Sequence, residues 1–362
     1  MKRVPILRVL VIDDSAFSRQ TITRMLERSP LVEVVGVARD GEEALRKTLE
    51  MKPDLVTLDL EMPRMDGFTY LRLVMSKAPT PVMVISSRDA EGDVFKALEL
   101  GAVDFIAKPN ARATVELEKI EAELIRKVHA MRELRIEKVS ERIQSAPPVV
   151  VHASPSVPGA SPPVAVIGSS TGGPAALMQI FGAFTDVPEC AFLVAQHMPA
   201  GFTRGFAERL NRLTPFTVRE AAHGDVPEAG TVLIAPGGTH IEVTSRREGC
   251  VLRVDPNAGG ERYIPSVDRL FSSAAKAYGE DLLAIVLTGM GDDGAKGACQ
   301  VKQAGGRVIA ESEETAVIYG MPRQVVSRGA ADEILPLHEI PASVQRCLSG
   351  TRAQVVASRS RK

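Results

Sequence analysis

Short apolar runs recur through the first third of the chain, at Leu7–Ile12, Val32–Ala38, Asp54–Leu58, Pro81–Ile85 and Val103–Ile106. Between them, apolar positions repeat at helical spacing, as in Ala16–Glu27, Gly41–Met51 and Asp93–Leu100. Runs without in–out alternation read as strands buried on both faces, so this part predicts a parallel sheet covered by helices on each side. In such sheets ligands bind beyond the carboxyl ends of the strands.

A second, less regular series follows. Apolar runs at Val164–Ile167, Ala191–Ala195, Val232–Ala235, Leu282–Leu287 and Arg307–Ala310 alternate with helical stretches such as Phe202–Leu213 and Val267–Tyr278. The interval His240–Val254 reads as a β-hairpin, IEVT and VLRV about a Glu248-Gly249 turn. A second doubly wound, mostly parallel α/β domain is expected.

The two series are separated by QSAPPVVVHASPSVPGASPP at 144–163, whose six prolines suit a linker and not a core. Residues 111–143 before it are rich in Glu, Lys and Arg at helical spacing and predict a long helix, with His129 as a surface histidine. The expected division is 1–125 for the first domain and 126–162 for a helical extension and linker. Residues 163–350 form the second domain, and 351–362 a basic, solvated tail.

Composition narrows the function. Lys+Arg 44 against Asp+Glu 45 leaves a net charge of −1, and aromatics are 4% with no Trp, which argues against a nucleic-acid or anionic-membrane partner. The basic start MKRVPILRVL runs straight into Asp13-Asp14, so it reads as a strand and not a leader, and no run approaches a membrane span. The cysteines at 190, 250, 299 and 347 lack CxxC spacing, which suits a reducing cytoplasm.

Chemistry gathers at strand ends. Asp13 and Asp14 follow the first strand, Asp59 the third, Ser86 ends the fourth and Lys108 follows the fifth. Three carboxylates at one sheet edge repel unless a divalent cation such as Mg²⁺ holds them. Taken singly, Asp14 or Ser15 could be no more than a helix cap. In the second series, Ser170 follows the strand of VAVIGSSTGG, His197 follows AFLVAQ, and Asp293 lies in LTGMGDDG. That distribution allows Ser-His-Asp hydrolytic chemistry. Ser169, His240 and Asp292 compete for the same three roles, and a Gly-rich phosphate cradle is a non-catalytic alternative.

The segments VLVIDDSAFSRQ, LVTLDLEMPRMDGF, PVMVISS and ALELGAVDFIAKP resemble the flavodoxin-like (βα)5 receiver domain of bacterial two-component response regulators. The resemblance implies Asp59 as phosphoacceptor, Asp13 and Asp14 as Mg²⁺ ligands with it, and Ser86, Phe105 and Lys108 as the switch residues. The segments IGSSTGGP, AQHMPAGFTRGFAERLN, IAPGGTHIEV, PSVDRLFSSAA, LTGMGDDGAKG and YGMPRQV resemble the catalytic domain of chemotaxis protein-glutamate methylesterases. This implies Ser170 as nucleophile, His197 as base and Asp293 as its orienting acid, with the turn at Thr171 and Gly172 and the backbone near Met290 supporting the oxyanion. Asp292 stands where that family has Asn.

The implied substrates are glutamate γ-methyl esters, and glutamines, on methyl-accepting chemoreceptors, hydrolysed without a metal. The implied phosphodonor is a chemotaxis histidine kinase. In that family the unphosphorylated receiver covers the esterase cleft, and phosphorylation relieves the block.

Overall fold

The computed structural model describes residues 5–86, 91–108, 114–134, 162–247, 249–256 and 261–348. They belong to two compact units, one within Met1–Gln144 and the other within Ser145–Lys362. Most of the Pro-rich segment, the tail at 351–362, Ser87, Pro109 and the stretch 135–143 lie outside the described residues.

The first unit is a five-stranded parallel sheet of β1 (Leu7–Ile12), β2 (Val32–Ala38), β3 (Leu55–Leu58), β4 (Val82–Ser86) and β5 (Asp104–Ala107), in the order β2-β1-β3-β4-β5. Strands β3, β4 and β5 are buried at every position, which is why their sequences run apolar without alternation. The helices are α1 (Ala16–Glu27), α2 (Gly41–Met51), α3 (Gly67–Lys77), α4 (Glu91–Glu99) and α5 (Thr114–Ala130). Side chains cap three of them. Ser15 accepts from the Ser18 N–H, Asp40 from Glu43 at 2.9 Å and Asp66 from Thr69 at 2.7 Å. Ser15 thus does the capping at α1, and the Asp14 carboxylate stays with the sheet edge.

Helix α5 ends at Ala130 in a short 3₁₀ turn, Met131–Glu133. His129 departs from its expected surface position. It is half-buried, with Nε2 2.7 Å from the Ser29 hydroxyl beyond α1, and burial pushes its pKa down. Helix α5 is tied to β5 by buried Lys127, which donates to Asp104 at 3.1 Å and to the Phe105 carbonyl at 2.7 Å.

The second unit has a seven-stranded, all-parallel sheet in the order β14-β13-β12-β6-β7-β9-β8. Its strands are β6 (Val164–Ser169), β7 (Ala191–Gln196), β8 (Thr217–Glu220), β9 (Thr231–Ile234), β12 (Leu282–Val286), β13 (Arg307–Glu311) and β14 (Glu333–Leu335). The expected hairpin pairs β10 (His240–Arg246) with β11 (Gly249–Asp255), outside the main sheet. The helices are α6 (Gly173–Gly182), α7 (Phe202–Leu213), α8 (Val267–Tyr278), α9 (Ala295–Gln303) and α10 (Met321–Ser327). The chain starts in the middle at β6, passes to β7, then to the outermost strand β8, comes back to β9 between them, and crosses to β12 on the other flank. The direction reverses between β6 and β12, where an open α/β sheet leaves a crevice at its carboxyl edge.

Strand β6 and helix α8 approach unusually closely. A Cβ at Gly168 would lie 2.2 Å from Val267 Cγ1, inside any van der Waals contact. Gly168→Ala should therefore destabilise this unit by about 2 kcal/mol. Combining it with Val267→Ala should cost less than the sum of the single changes, because the second removes the atoms that the first would strike. Denaturant titration of the four proteins of the cycle tests this, and strict additivity would contradict the clash.

Candidate active site

At the carboxyl edge of the first sheet, Asp13 and Asp59 are buried and Asp14 is exposed, and one carboxylate oxygen of each lies within 4.8 Å of the others. Lys108 reaches across from beyond β5, with Nζ 3.0 Å from Asp13 Oδ2 and hydrogen-bonded to Asp59. Backbone N–H groups of Ser15 and Glu61 donate to Asp13 at 2.9 Å and Asp59 at 3.3 Å. The Arg19 guanidinium holds the turn by donating to the carbonyls of Asp13 and Asp14.

Burial raises the Asp59 pKa to about 6, the neighbouring Asp13 charge adds to the rise, and Lys108 opposes it. Burial also works against the charge on Lys108, but its hydrogen bonds to the two carboxylates prevail and raise its pKa. Three carboxylates served by one ammonium leave net negative charge. That donor set fits a small, hard divalent cation, with Asp13, Asp14 and Asp59 as oxygen ligands. Ser86 and Phe105 are both buried beside this edge, on adjoining strands β4 and β5.

In the second unit, the three sequence candidates follow neighbouring strands: His197 after β7, Ser170 after β6, and Asp293 in the loop after β12. The Ser170 N–H donates to the Thr288 carbonyl at 3.0 Å, and the Ser170 carbonyl accepts from Gly173 N–H at 2.8 Å. These two N–H groups therefore face the protein. The turn continues through Thr171 and through Gly172, whose φ of 77° is left-handed, into the N-terminus of α6. Met290 is half-buried in the loop after β12, near Gly320.

The rivals sit elsewhere. Ser169 is fully buried, with its hydroxyl spent on Gln196 Oε1 at 2.6 Å. His240 is fully buried in β10, where Nδ1 accepts from Ser266 N–H at 3.0 Å and Nε2 faces Glu261 at 3.2 Å. Burial, with Arg269 nearby, lowers its pKa. Asp292 is exposed, and its carbonyl accepts from Ala295 N–H.

His197 Nε2 lies 2.8 Å from Asp293 Oδ2. The same carboxylate accepts from the backbone N–H groups of Val267 (2.7 Å), Asp268 (2.9 Å) and Gly294 (3.0 Å), and from the Ser266 hydroxyl (3.2 Å). Burial would disfavour its charge, but His197 and the N–H groups at the start of α8 outweigh burial and hold its pKa below the usual value. It is an ionised acid fixed against one edge of an imidazole.

The second unit matches the family described as CheB methylesterase over residues 165–344, and the first matches the response regulator receiver domain over residues 9–119. A protein-glutamate methylesterase/protein-glutamine glutaminase of Geobacter sulfurreducens is 47% identical, aligned over 94% of this chain and 97% of its own length. One from Myxococcus xanthus is 48% identical over 92% and 95%. The chain belongs to the CheB methylesterase family. The crystal structure of the Thermotoga maritima CheB methylesterase catalytic domain is 40% identical with a TM-score of 0.50, covering 52% of this chain and 99% of that one. Receiver and methylesterase units in one chain are thus the architecture of this CheB relative.

Several residues that hold the CheB-type site escaped the sequence reading. Gln196 Nε2 donates to the carbonyls of both Ser170 (3.0 Å) and His197 (2.9 Å), tying the ends of β6 and β7 together. Thr288 donates its hydroxyl to the Thr171 carbonyl and accepts from Ile318 N–H, while its own N–H is held by buried Glu311. Ser266 was detectable as the N-cap of a helix beginning VDRLF. Gln196 and Thr288 carried no such signal, because the contacts that matter, Gln196 to Ser170 and Thr288 to Thr171, Ile318 and Glu311, join residues more than twenty positions apart.

Proposed function

We propose that this protein hydrolyses glutamate γ-methyl esters on methyl-accepting chemoreceptors to glutamate and methanol, and deamidates receptor glutamines by the same acyl chemistry, under control of phosphorylation at Asp59. The observation that carries the reading is the buried, many-fold hydrogen-bonded Asp293 against the edge of His197, with Ser170 on the adjoining strand end.

In this reading Ser170 Oγ attacks the ester carbonyl. His197 takes the hydroxyl proton and returns it to the methanol leaving group, and Asp293 holds the imidazole tautomer and supports the imidazolium. Because Nε2 faces Asp293, Nδ1 is the nitrogen that serves Ser170. The N-terminal end of α6 at Thr171 and Gly172, with the backbone at Met290, would stabilise the oxyanion. Water then cleaves the acyl-enzyme by the same route.

In the receiver unit, Asp59 would accept phosphate from a chemotaxis histidine kinase. Asp13, Asp14 and Asp59 would hold Mg²⁺, which neutralises the phosphoryl oxygens when bound. Lys108 would pair with the phosphoryl group, and Ser86 and Phe105 would rearrange with it. The domain limits proposed are 1–125 and 163–350, joined by a linker. No helix among the described residues is long and apolar enough to cross a membrane, which is consistent with a cytoplasmic enzyme.

The test is methanol release from methylated receptor, with Mg²⁺ and a small phosphodonor. Ser170→Ala should abolish release to within background, a loss of at least about 10³-fold, and the phosphodonor should accelerate the wild type. Methanol release by Ser170→Ala at the wild-type rate would refute the nucleophile.

A further inference from the structure

His197 has a second neighbour for which the hydrolytic scheme has no task. The Tyr263 ring lies against the imidazole with centroids 4.9 Å apart and planes 7° from parallel. Tyr263 belongs to the short segment between the β10–β11 hairpin and α8, three residues before Ser266. That segment and the first residue of α8 therefore bear on the imidazole in two ways, at its edge indirectly through the Ser266 and Val267 bonds to Asp293, and on its face directly through Tyr263.

The opposing loop is shaped around this ring. Gly291, two residues before Asp293, has φ 92°, and a Cβ there would lie 2.1 Å from the Tyr263 hydroxyl. The exposed Arg262 guanidinium adds a contact 5.1 Å from the same ring centroid. A half-buried tyrosine with a loop built to admit it is a placed group.

A single hydrogen bond fixes one atom of an imidazole and leaves its plane poorly set. The sp³–sp² torsion that turns a histidine ring is broad, so rotation costs little. Any roll about the Nε2–Asp293 contact swings Nδ1 through an arc. Misplacement of a reacting group by about 1 Å can cost on the order of 10²-fold in rate. A flat ring stacked on the face removes that freedom and keeps water off it.

We propose that Tyr263 is a positioning residue for His197. Its ring sets the plane of the imidazole so that Nε2 stays on Asp293 while Nδ1 stays directed at Ser170. The inference rests on the proposed triad and adds the element that fixes the base's orientation.

The experiment compares wild type, Tyr263→Phe, Tyr263→Leu and Ser170→Ala as full chains, measuring kcat and KM for methanol release and the thermal midpoint of each. Tyr263→Leu should lower kcat about 10- to 30-fold with KM within about twofold, and Tyr263→Phe should stay within about threefold of wild type. Labelling of Ser170 by a small serine-directed phosphonate should fall in the same proportion, independently of receptor docking.

Wild-type kcat in a folded Tyr263→Leu protein overturns the proposal. So does Tyr263→Phe as impaired as Tyr263→Leu, or a loss confined to KM. Unimpaired release by Ser170→Ala would instead overturn the triad itself, so the two failures are separable. If Tyr263→Leu does not fold, Tyr263→Phe decides alone through its kcat and phosphonate labelling, and a loss there of more than about tenfold refutes the stacked face as the active element.

Discussion

Asp293→Asn should lower kcat for methyl-ester hydrolysis by about 10³- to 10⁴-fold while leaving KM nearly unchanged. The magnitude follows from the hydrogen-bond inventory of the carboxylate. Its two oxygens accept from three backbone N–H groups, from the Ser266 hydroxyl and from His197 Nε2. An amide offers one acceptor oxygen and one NH₂ group. With NH₂ at the Oδ2 position, it confronts the Val267 N–H and the Nε2–H that now points at the acid. With NH₂ at the Oδ1 position, it confronts Asp268 and Gly294. Either way a buried donor loses its partner, and in the first orientation the NH₂ also drives His197 toward the tautomer that cannot take the Ser170 proton.

Stability should drop as well, by about 2 kcal/mol, because a buried donor left unpaired costs on that order. Asp292→Asn should change kcat by less than about twofold, since that side chain is exposed. Steady-state methanol release by the two variants tests the assignment. Equal losses, or a larger loss at Asp292, would reverse the roles given to the adjacent acids.

The second large effect is expected at Asp59. Asp59→Asn should abolish phosphate incorporation from a small phosphodonor and remove its stimulation of methanol release, while making the receiver unit more stable. Burial and the Asp13 charge raise the Asp59 pKa to about 6, so at neutral pH the folded unit carries an ionised group that it holds less comfortably than the unfolded chain does. Replacing the carboxylate by a neutral amide removes a penalty on the order of 2 kcal/mol. The sign gives a second check. A raised carboxylate pKa contributes stability that is fully present below the ordinary value of 3.8 and is lost as pH rises through about 6. The advantage of Asn over Asp should therefore shrink as pH falls from 7 to 5.

Mg²⁺ should stabilise the wild type more than the variant, since the proposed ion binds all three carboxylates. Hydrogen exchange at the β1 and β3 amides, followed against pH and Mg²⁺, reads the receiver unit within the full chain. An Asn variant less stable than wild type at pH 7 would show that Asp59 is a net stabilising partner of Lys108.

Much of both folds was legible because buried parallel strands must be apolar throughout. The runs read at Leu7–Ile12 and Val32–Ala38 coincide with β1 and β2, and β6, β7, β9, β12 and β13 lie on the runs assigned to the second sheet. The two strands that escaped, β8 and β14, are the outermost strands of the seven-stranded sheet, short and only partly buried. An edge strand is covered less completely, so its sequence need not be apolar and the signal fades. His129 failed for a related reason. Its partner Ser29 is a hundred positions away, and nothing near His129 in the chain marks the contact.

Sequence alone determined that acids, a serine, a histidine and small residues would stand at strand ends, since glycine-rich turns and polar residues after apolar runs are local features. Local pattern by itself left Ser169 open beside Ser170, His240 beside His197 and Asp292 beside Asp293, because the candidates are chemically alike, and only the family resemblance favoured Ser170, His197 and Asp293. Tertiary structure decided their surroundings through burial and distant partners. Ser169 is consumed by Gln196, His240 is enclosed beneath Ser266, Asp292 faces solvent, and Asp293 meets His197 and the start of α8. The stack of Tyr263 on His197 has the same origin. It joins side chains sixty-six positions apart, and only the return of the chain from β11 to α8 brings one ring onto the other.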